Sequence, residues 1–255
     1  LTARPYLGGM LEQLATRIRA AREGVVLTGA GISAESGVPT FRGKEGLWGK
    51  FKPEERATME AFMANPKIVW EWYNWRRELM GSVTPNAGHF ALAELSNWFD
   101  QFTVVTQNVD GLHVAAGSTR VLELHGNIHR NKCSRCDSPV PDAVEIDPTK
   151  IPSCVRCGGK IRPDVVWFGE LLPEETIEEA FAVSERADIF FSVGTSALVH
   201  PAATLPVIAK RRGATLVEIN PEETPLTEFA DFSFRAKSGE LLPELLVLLK
   251  KGTGR

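Results

Sequence analysis

Four short runs of mainly apolar residues place the strongest constraint on how this chain folds. They cover residues 25–27, 102–105, 189–193 and 215–219. Strands of this texture are usually covered by helices on both faces, as in parallel sheets. Apolar periodicity predicts helices between them, over residues 10–22 (ended by Gly24), 87–99 and 196–211. An edge strand over 232–235 and a closing helix over 241–250 complete a predicted α/β fold, a Rossmann-like, doubly wound parallel sheet.

Two segments interrupt this alternation and predict a second, smaller domain. Residues 53–80 look helical and unusually aromatic, and residues 127–162 are rich in loops and hold all the cysteines. We therefore predict a small domain made of a helical insertion (47–83) and a zinc-binding insertion (127–162). Residues 1–46, 84–126 and 163–255 would then form the discontinuous Rossmann-like domain.

The cysteines form two C-x-x-C pairs, Cys133 with Cys136 and Cys154 with Cys157. In a reducing compartment this spacing favours a metal over disulfides. Four thiolates complete the tetrahedral shell of zinc and leave no open position, so the predicted zinc is structural. A disulfide pair or free thiols remain the alternative.

Charge and hydropathy limit the classes of partner. The formal net charge is -3, whereas nucleic-acid binding favours a basic surface. We find no run of about 18 to 20 apolar residues that would span a bilayer. A charged start followed by an apolar signal-peptide core is also missing from residues 1–9. We therefore expect a soluble, cytoplasmic protein that binds neither membranes nor nucleic acid.

A glycine-rich turn follows the first predicted strand. Gly29, Gly31 and Ala34 fit the pattern G-x-G-x-x-G/A, whose backbone N–H groups can approach a pyrophosphate. Alone, the pattern also fits an ordinary glycine-rich turn. A dinucleotide dehydrogenase would carry an acidic residue at the end of the second strand, about 20 residues on. Glu45 lies near that distance but follows a Pro/Gly loop, which disfavours hydride transfer.

Several motifs in the same order resemble one family, the sirtuins. The turn at 29–33 and the run 37–42 resemble the sirtuin phosphate-loop signature. Residues 106–113, 124–126 and 194–196 resemble its later motifs, with the paired cysteines between the second and third. The resemblance covers about residues 23–239. It implies an NAD-dependent protein-lysine deacylase that releases nicotinamide, free lysine and O-acyl-ADP-ribose.

The resemblance also implies roles for the polar residues. His125 would be the catalytic base that deprotonates a ribose hydroxyl, and Asn108 would orient the ribose or a water. Without the family, His125 reads as a satisfied histidine and Asn108 as a turn former. Asn220 and Glu222 would hold the adenosine ribose, although they also fit a helix start. The implied cofactor-binding set is Gly29, Ala30, Gly31, Ser33, Ala34, Glu35, Thr40, Phe41, Arg42, Trp48, Gln107, Asn108, Val109, Asp110, Gly194, Thr195, Ser196, Asn220, Pro221, Glu222 and Ala236.

Two segments point to the acylated lysine of a protein or peptide substrate. The run from Val165 resembles the strand that pairs with the substrate backbone, through Val166, Trp167, Phe168, Gly169 and Glu170. Tyr73 and Arg76, three residues apart on one helix face, resemble the pair that grips acyl carboxylates in class III sirtuins. Ala57 would leave room for the longer acyl chain. The alternative for Arg76 is a surface arginine whose stem lies on an aromatic helix, and we assign that role to Arg77.

Other functions stay open at this point. Mono-ADP-ribosyl transfer would use the same bond cleavage with another acceptor. A zinc-ribbon module for nucleic acid would need a basic stripe, and residues 127–132 are too few and too mixed in charge to supply one. We favour malonyl, succinyl and acetyl groups as substrates without ranking them, and we expect a monomer.

Overall fold

The computed structural model describes residues 3–40, 52–140 and 146–251. Within these ranges the strands are β1 (Glu23–Thr28), β2 (Gln101–Thr106), β3 (Val121–Glu123), β4 (Gly126–Cys133), β5 (Pro139–Val140), β6 (Ile161–Val165), β7 (Ile189–Val193), β8 (Thr215–Ile219) and β9 (Phe232–Phe234). The α-helices are α1 (Ala3–Ala20), α2 (Ala30–Ala34), α3 (Met59–Ala64), α4 (Pro66–Gly81), α5 (Ala87–Leu95), α6 (Leu112–Ala115), α7 (Glu174–Arg186), α8 (Leu205–Arg211) and α9 (Ser238–Lys251).

The larger sheet has six strands in the order β3-β2-β1-β7-β8-β9, and every neighbouring pair is parallel. The predicted apolar runs are β1, β2, β7 and β8, and the predicted edge strand is β9. The strand order reverses direction between β1 and β7, which makes that point the topological switch of the sheet. Ligands of open α/β sheets bind at such a point, beyond the carboxyl ends of the strands. The predicted Rossmann-like fold is confirmed.

Helices cover both faces of this sheet. Successive strand residues point to opposite sides, so each face presents apolar side chains that pack against helices. Val26 packs in one buried cluster with α1, α5 and α9, through residues such as Leu14, Leu92 and Leu245. Its neighbours Val25 and Leu27 pack in another cluster with α7 and α8. In the described part of the chain, no helix is both long and apolar enough to cross a bilayer.

A second sheet, antiparallel and in the order β5-β4-β6, packs with α3 and α4. Its core joins the aromatic side chains of Phe62, Trp70 and Tyr73 to the cysteine-bearing segment. The two sequence insertions therefore share one hydrophobic core. The predicted domain boundary between residues 162 and 163 falls inside β6, and the domain limits stay a prediction.

Among the predicted helices, α1 begins at Ala3 rather than at residue 10, and α5 ends at Leu95 rather than at residue 99. Two further predicted limits are wrong. The helix predicted over 196–211 becomes a 3-10 turn at Ala202–Thr204 and then α8, which begins at Leu205. Pro201 disfavours the helical conformation for His200, so the helix cannot extend back to residue 196. Gly24 lies within β1 rather than ending α1, and a Cβ there would come within 2.7 Å of the Phe102 ring.

Candidate functional site

The loops after four parallel strands meet at one edge of the larger sheet. The N–H of Gly31 donates to the carbonyl of Gly194 at 2.8 Å, and the N–H of Gln107 donates to Thr28 at 3.0 Å. A Cβ on Gly31 would lie 2.7 Å from the Gly194 Cα. Glycine is therefore required where the loops after β1 and β7 touch. This packing leaves the backbone of the glycine-rich turn facing open space beyond the strands.

A cavity of about 940 Å³ lies at this edge and extends to the smaller sheet. It is in the range of ordinary small-molecule sites. Its lining includes most of the predicted residues, namely Gly29, Ala30, Gly31, Ala34, Glu35, Thr40, Ala57, Tyr73, Arg76, Gln107, Asn108, Val109, His125, Val166, Trp167, Phe168, Gly169, Glu170, Gly194, Thr195, Ser196, Asn220, Pro221 and Glu222. One cavity thus joins the predicted cofactor loops to the predicted acyl pocket.

Thr195 links three of the strand ends. Its hydroxyl accepts from the Gln107 side-chain amide at 2.9 Å, and its carbonyl accepts from the Asn220 amide at 2.9 Å. The ends of β2, β7 and β8 are therefore held in a fixed arrangement. The segment between β8 and β9, all of it described, contains no helix, so the helix-start alternative for Asn220 and Glu222 is wrong.

Glu35 ties the end of the glycine-rich turn to the last helix. Its carboxylate accepts from the Ser238 hydroxyl and from the Gly239 N–H, each at 3.0 Å. An acidic group at the start of α9 also suits the positive end of the helix dipole. The contact places Lys237 and Ser238, which the sequence reasoning missed, in the cavity wall.

His125 lies between β3 and β4 and is fixed on two sides. Its Nδ1 lies 2.9 Å from the carbonyl oxygen of Gln107, and its own carbonyl accepts from the Val166 N–H at 2.9 Å. Burial lowers the pKa of His125, and the Gln107 hydrogen bond only partly offsets this. The imidazole is therefore neutral near pH 7. A carbonyl can only accept, so Nδ1 carries the proton and Nε2 keeps its lone pair.

Asn108 belongs to a buried polar network under the cavity. Its side-chain amide donates to the carbonyl of Gly29 and to the hydroxyl of Ser33, each at 3.1 Å. Ser33 in turn donates to the Asp110 carboxylate at 2.7 Å. Ser33 and Asp110 do not line the cavity, but they fix the amide that does.

Three further residues support this network from below. The Thr106 hydroxyl accepts from the backbone N–H of Asn108 at 3.0 Å and from the Thr28 hydroxyl at 2.8 Å. Thr28 lies 2.9 Å from Nε2 of His113. Burial, with a smaller contribution from His89, lowers the pKa of His113 to about 3, so its imidazole stays neutral. A neutral ring that donates from Nε2 closes the network without a buried charge.

The end of the cavity that we predict to bind the acyl group is built on α4. Tyr73 and Arg76 are both buried, with 1% and 3% of their surface exposed, and both line the cavity. The Arg76 guanidinium carbon lies 4.9 Å from the centre of the Trp72 ring and 5.6 Å from that of Tyr73. The alternative that makes Arg76 a surface arginine is therefore wrong. Arg77 is half-buried over Trp70 and donates to the carbonyl of Ile128 at 2.6 Å.

Burial makes the charged form of Arg76 less favourable than it would be in water. Burial lowers the pKa of its guanidinium, and the neighbouring Tyr73 and Asp110 partly offset that effect, Tyr73 in part through a hydrogen bond. A buried cation is stabilised when an anion with matching hydrogen-bond geometry reaches it. This end of the cavity is thus suited to a carboxylate.

Residues 165–170, which we predict to pair with the substrate backbone, do not form a continuous strand. β6 ends at Val165, and the chain then turns so that the Glu170 carboxylate accepts from the Trp167 N–H at 2.8 Å. The N–H of Phe168 donates to the carbonyl of Ala57 at 2.9 Å. Arg162 is buried and forms an ion pair with Glu170. These contacts fix residues 166–170 as one wall of the cavity.

The four cysteines form a compact cluster away from the cavity. Their sulfur atoms all lie within 4.8 Å of one another, with Cys133 and Cys157 at 3.4 Å and Cys136 and Cys154 at 3.8 Å. Zn–S bonds of about 2.3 Å in a tetrahedron put sulfurs about 3.8 Å apart. The thiols are unoxidised, so the disulfide alternative is wrong for this structure. The donor set fits a structural zinc held by all four thiolates.

Three of the predicted cofactor residues that the structure describes do not line the cavity, namely Ser33, Asp110 and Ala236. Ala236 packs against the core of the larger sheet. Phe41, Arg42 and Trp48 lie outside the described residues. The sequence reasoning also missed several lining residues, which are Trp72, Leu172, Leu198, Val199, His200, Ile219, Glu223, Thr224, Pro225, Lys237 and Ser238.

Glu218 is a further residue that the sequence reasoning missed. It lies on β8 behind the cavity and only 1% of its surface is exposed. Its carboxylate accepts hydrogen bonds from the hydroxyls of Thr224, Thr227 and Ser233 and from the guanidinium of Arg235. Burial alone would raise the pKa of Glu218, but these hydrogen bonds outweigh it and lower the pKa. Since Thr224 lines the cavity, Glu218 holds in place the loop that carries Pro221 and Glu222.

Proteins of similar sequence belong to the family that the motifs resemble. The model of the Sir2 family matches residues 29–201. The chain belongs to the Sir2 family. An NAD-dependent protein deacylase of Aquifex aeolicus (strain VF5) is 52% identical over 230 residues, covering 90% of this chain and 96% of that protein. The sirtuin resemblance is therefore confirmed over most of the chain.

Solved structures place ligands of two kinds on this Sir2 fold. A Sir2 homologue in complex with NAD has a TM-score of 0.88 and 46% identity, and covers 94% of both chains. A Sir2 complex with a p53 peptide and NAD+ has a TM-score of 0.80 and 32% identity, covering 95% of this chain and 98% of that one. Together with the glycine-rich turn and the cysteine cluster, these matches support NAD+ as co-substrate and one structural zinc.

Proposed function

We propose that this chain is an NAD-dependent protein-lysine deacylase that accepts acyl groups ending in a carboxylate, such as succinyl and malonyl, as well as acetyl. The observation that carries the acyl preference is the burial of Tyr73 and Arg76 in the cavity that also holds His125. The named activity of the Aquifex relative supports the deacylase reaction itself.

The loops after β1, β7 and β8 are the proposed cofactor site. The glycine-rich turn would face the diphosphate, and glycine at 29 and 31 lets this turn pack closely against the loop after β7. Asn220 and Glu222 would contact the adenosine ribose, and Asp110 would shape the nicotinamide end through Ser33. Bound NAD supplies the ADP-ribosyl group that receives the acyl group when nicotinamide leaves.

His125 is the proposed base. Its neutral ring presents a lone pair on Nε2, while Gln107 holds the protonated Nδ1. It is thus prepared to accept a proton from a hydroxyl in the cavity, as general-base catalysis requires. Asn108, fixed by Gly29 and Ser33, would orient the polar groups next to it.

Arg76 and Tyr73 are the proposed acyl-recognition residues. An acyl carboxylate would form charge-assisted hydrogen bonds with the guanidinium and would offset the cost of its burial. A neutral acetyl group is shorter and makes no such contact. Small Ala57, whose carbonyl is bound by Phe168, leaves room for the longer chain.

The substrate is the acylated lysine of a protein or peptide. Trp167 and Phe168 would wall the lysine channel, and residues 166–170 would run beside the substrate backbone. The monomeric state and the lack of nucleic-acid binding stay predictions.

Replacing Arg76 by Met tests the acyl preference. We expect kcat/KM for a succinyl-lysine peptide to fall at least about thirtyfold, because truncating one partner of a buried charge pair costs about 2 kcal/mol or more. The value for the matching acetyl-lysine peptide should change by less than about threefold. Liquid chromatography of both peptides gives the two rates.

Arg77→Met is the matched control, since Arg77 is the next residue and bonds the carbonyl of Ile128 outside the cavity. It should lower the melting temperature and leave the succinyl-to-acetyl ratio unchanged. Equal losses on both peptides in Arg76→Met would remove Arg76 from acyl recognition.

A further inference from the structure

The hydroxyl of Tyr73 has a fixed hydrogen-bond partner. The indole Nε1 of Trp167 lies 2.8 Å from the Tyr73 oxygen. An indole nitrogen can only donate, so the tyrosine oxygen must accept this bond. The orientation of the Tyr73 hydroxyl is thereby set from behind, on the side of Trp167.

The hydroxyl proton of Tyr73 then has one direction left. Both polar neighbours of the oxygen, the indole N–H of Trp167 and the guanidinium of Arg76, can only donate. Tyr73 is 1% exposed and lines the cavity, so the proton faces the space that the acyl group would fill. Burial raises the pKa of Tyr73, which keeps the phenol protonated near neutral pH.

Trp167 itself cannot turn away. The Arg162 guanidinium carbon lies 3.4 Å from the centre of the indole ring, and Arg162 is ion-paired with Glu170. The indole also packs against the Phe62 ring, with the ring centroids 5.3 Å apart. The backbone N–H of Trp167 is bound to the Glu170 carboxylate. Side chain and backbone are therefore both held.

We infer that Trp167 is a specificity-determining residue, whose indole N–H makes the Tyr73 hydroxyl a donor aimed at an oxygen atom on the acyl group. The inference rests on the proposed function. A succinyl or malonyl carboxylate offers such an oxygen. An acetyl group ends in a methyl group at that depth and leaves the buried hydroxyl unsatisfied, which is unfavourable.

Trp167→Phe keeps an aromatic ring over Arg162 and removes the N–H, together with part of the ring volume that Trp70→Phe removes as well. We expect the ratio of kcat/KM on succinyl-lysine to that on acetyl-lysine peptide to fall roughly tenfold, the size of one lost hydrogen bond. The matched control is Trp70→Phe, because Trp70 is fully buried and donates its own indole N–H to the carbonyl of Ile161 outside the cavity. That control should lower stability and leave the ratio unchanged.

A double-mutant cycle with Tyr73→Phe shows whether Trp167 acts through the hydroxyl. Tyr73→Phe alone should lower the ratio, and adding Trp167→Phe to it should lower the ratio no further. An unchanged ratio in Trp167→Phe, or an equal further fall in the Tyr73→Phe background, would overturn the inference. Wild-type protein without activity on succinyl-lysine would instead overturn the proposed acyl preference, and this inference with it.

Discussion

Nδ1 of His125 lies 2.9 Å from the carbonyl oxygen of Gln107, and this contact decides which ring nitrogen carries the proton. The same loop, at the end of β2, also presents Asn108 to the cavity. The base and the amide therefore share one support. Nε2 remains as the only ring atom that can accept a proton, so the imidazole can act as a base only through Nε2.

The pH dependence of kcat follows from this arrangement. Burial lowers the pKa of His125 below its usual value of 6.5, and only the neutral ring can act as a base. We expect kcat to be constant from neutral pH down to about 6.5 and to fall only below that, as the ring takes up a proton. Steady-state rates with saturating NAD and peptide measure this.

A control separates catalysis from acid unfolding. Tryptophan fluorescence at each pH should show folded protein wherever the rate is interpreted. His125→Phe should lower kcat by about a hundredfold or more at every pH and lose the acid limb. An acid limb centred above pH 7 in the wild type would argue against a neutral, buried base.

Cys154→Ser tests the zinc site. The buried sulfur supplies one of four ligands, so its loss should release the metal and unfold the smaller sheet, since zinc binding orders a loop-rich segment. Mass spectrometry of native protein should give about one zinc per chain. Val155→Ser is the control, because Val155 is next in sequence and fully exposed, and it should keep both zinc and melting temperature. Native protein free of zinc would refute the site.

Glu218→Gln tests how the adenosine end is held. The neutral amide accepts fewer of the hydrogen bonds from Thr224, Thr227, Ser233 and Arg235, so the loop behind Pro221 and Glu222 should loosen. We expect the KM for NAD to rise about tenfold while the KM for the acyl peptide stays constant.

Asp231→Asn provides the comparison for Glu218→Gln. Asp231 is a carboxylate that bonds Lys210 and the Leu216 N–H, at the end of β8 opposite the cavity. Its loss should affect stability without changing the KM for NAD. If both variants raise that KM equally, Glu218 has no specific part in holding the nucleotide loop.

The parallel sheet could be predicted because its signals are local. The apolar runs that become β1, β2, β7 and β8 are continuous in sequence, and the turns after them end in glycine or polar residues. The cysteine spacing is local in the same way. A proline at 201 was enough to make the predicted helix over 196–211 wrong, because its effect on the preceding residue outweighs the apolar periodicity.

The contacts that tune the site could not be predicted, because their partners are far apart in the chain. Trp167 and Tyr73 are separated by 94 positions, and no spacing rule joins them. Glu218 gathers partners up to 17 positions away, across a loop whose path the sequence does not indicate. The lowered pKa of His125 likewise depends on burial that only the folded chain supplies.

The central claim is that one cavity brings a dinucleotide and an acylated lysine together beside His125. Mass spectrometry of a succinyl-lysine peptide incubated with the protein, with and without NAD, tests it most directly. We predict free lysine peptide, nicotinamide and O-succinyl-ADP-ribose in equal amounts, and only when NAD is present. Deacylation without NAD, or ADP-ribose attached to a protein or peptide that keeps its acyl group, would contradict the claim.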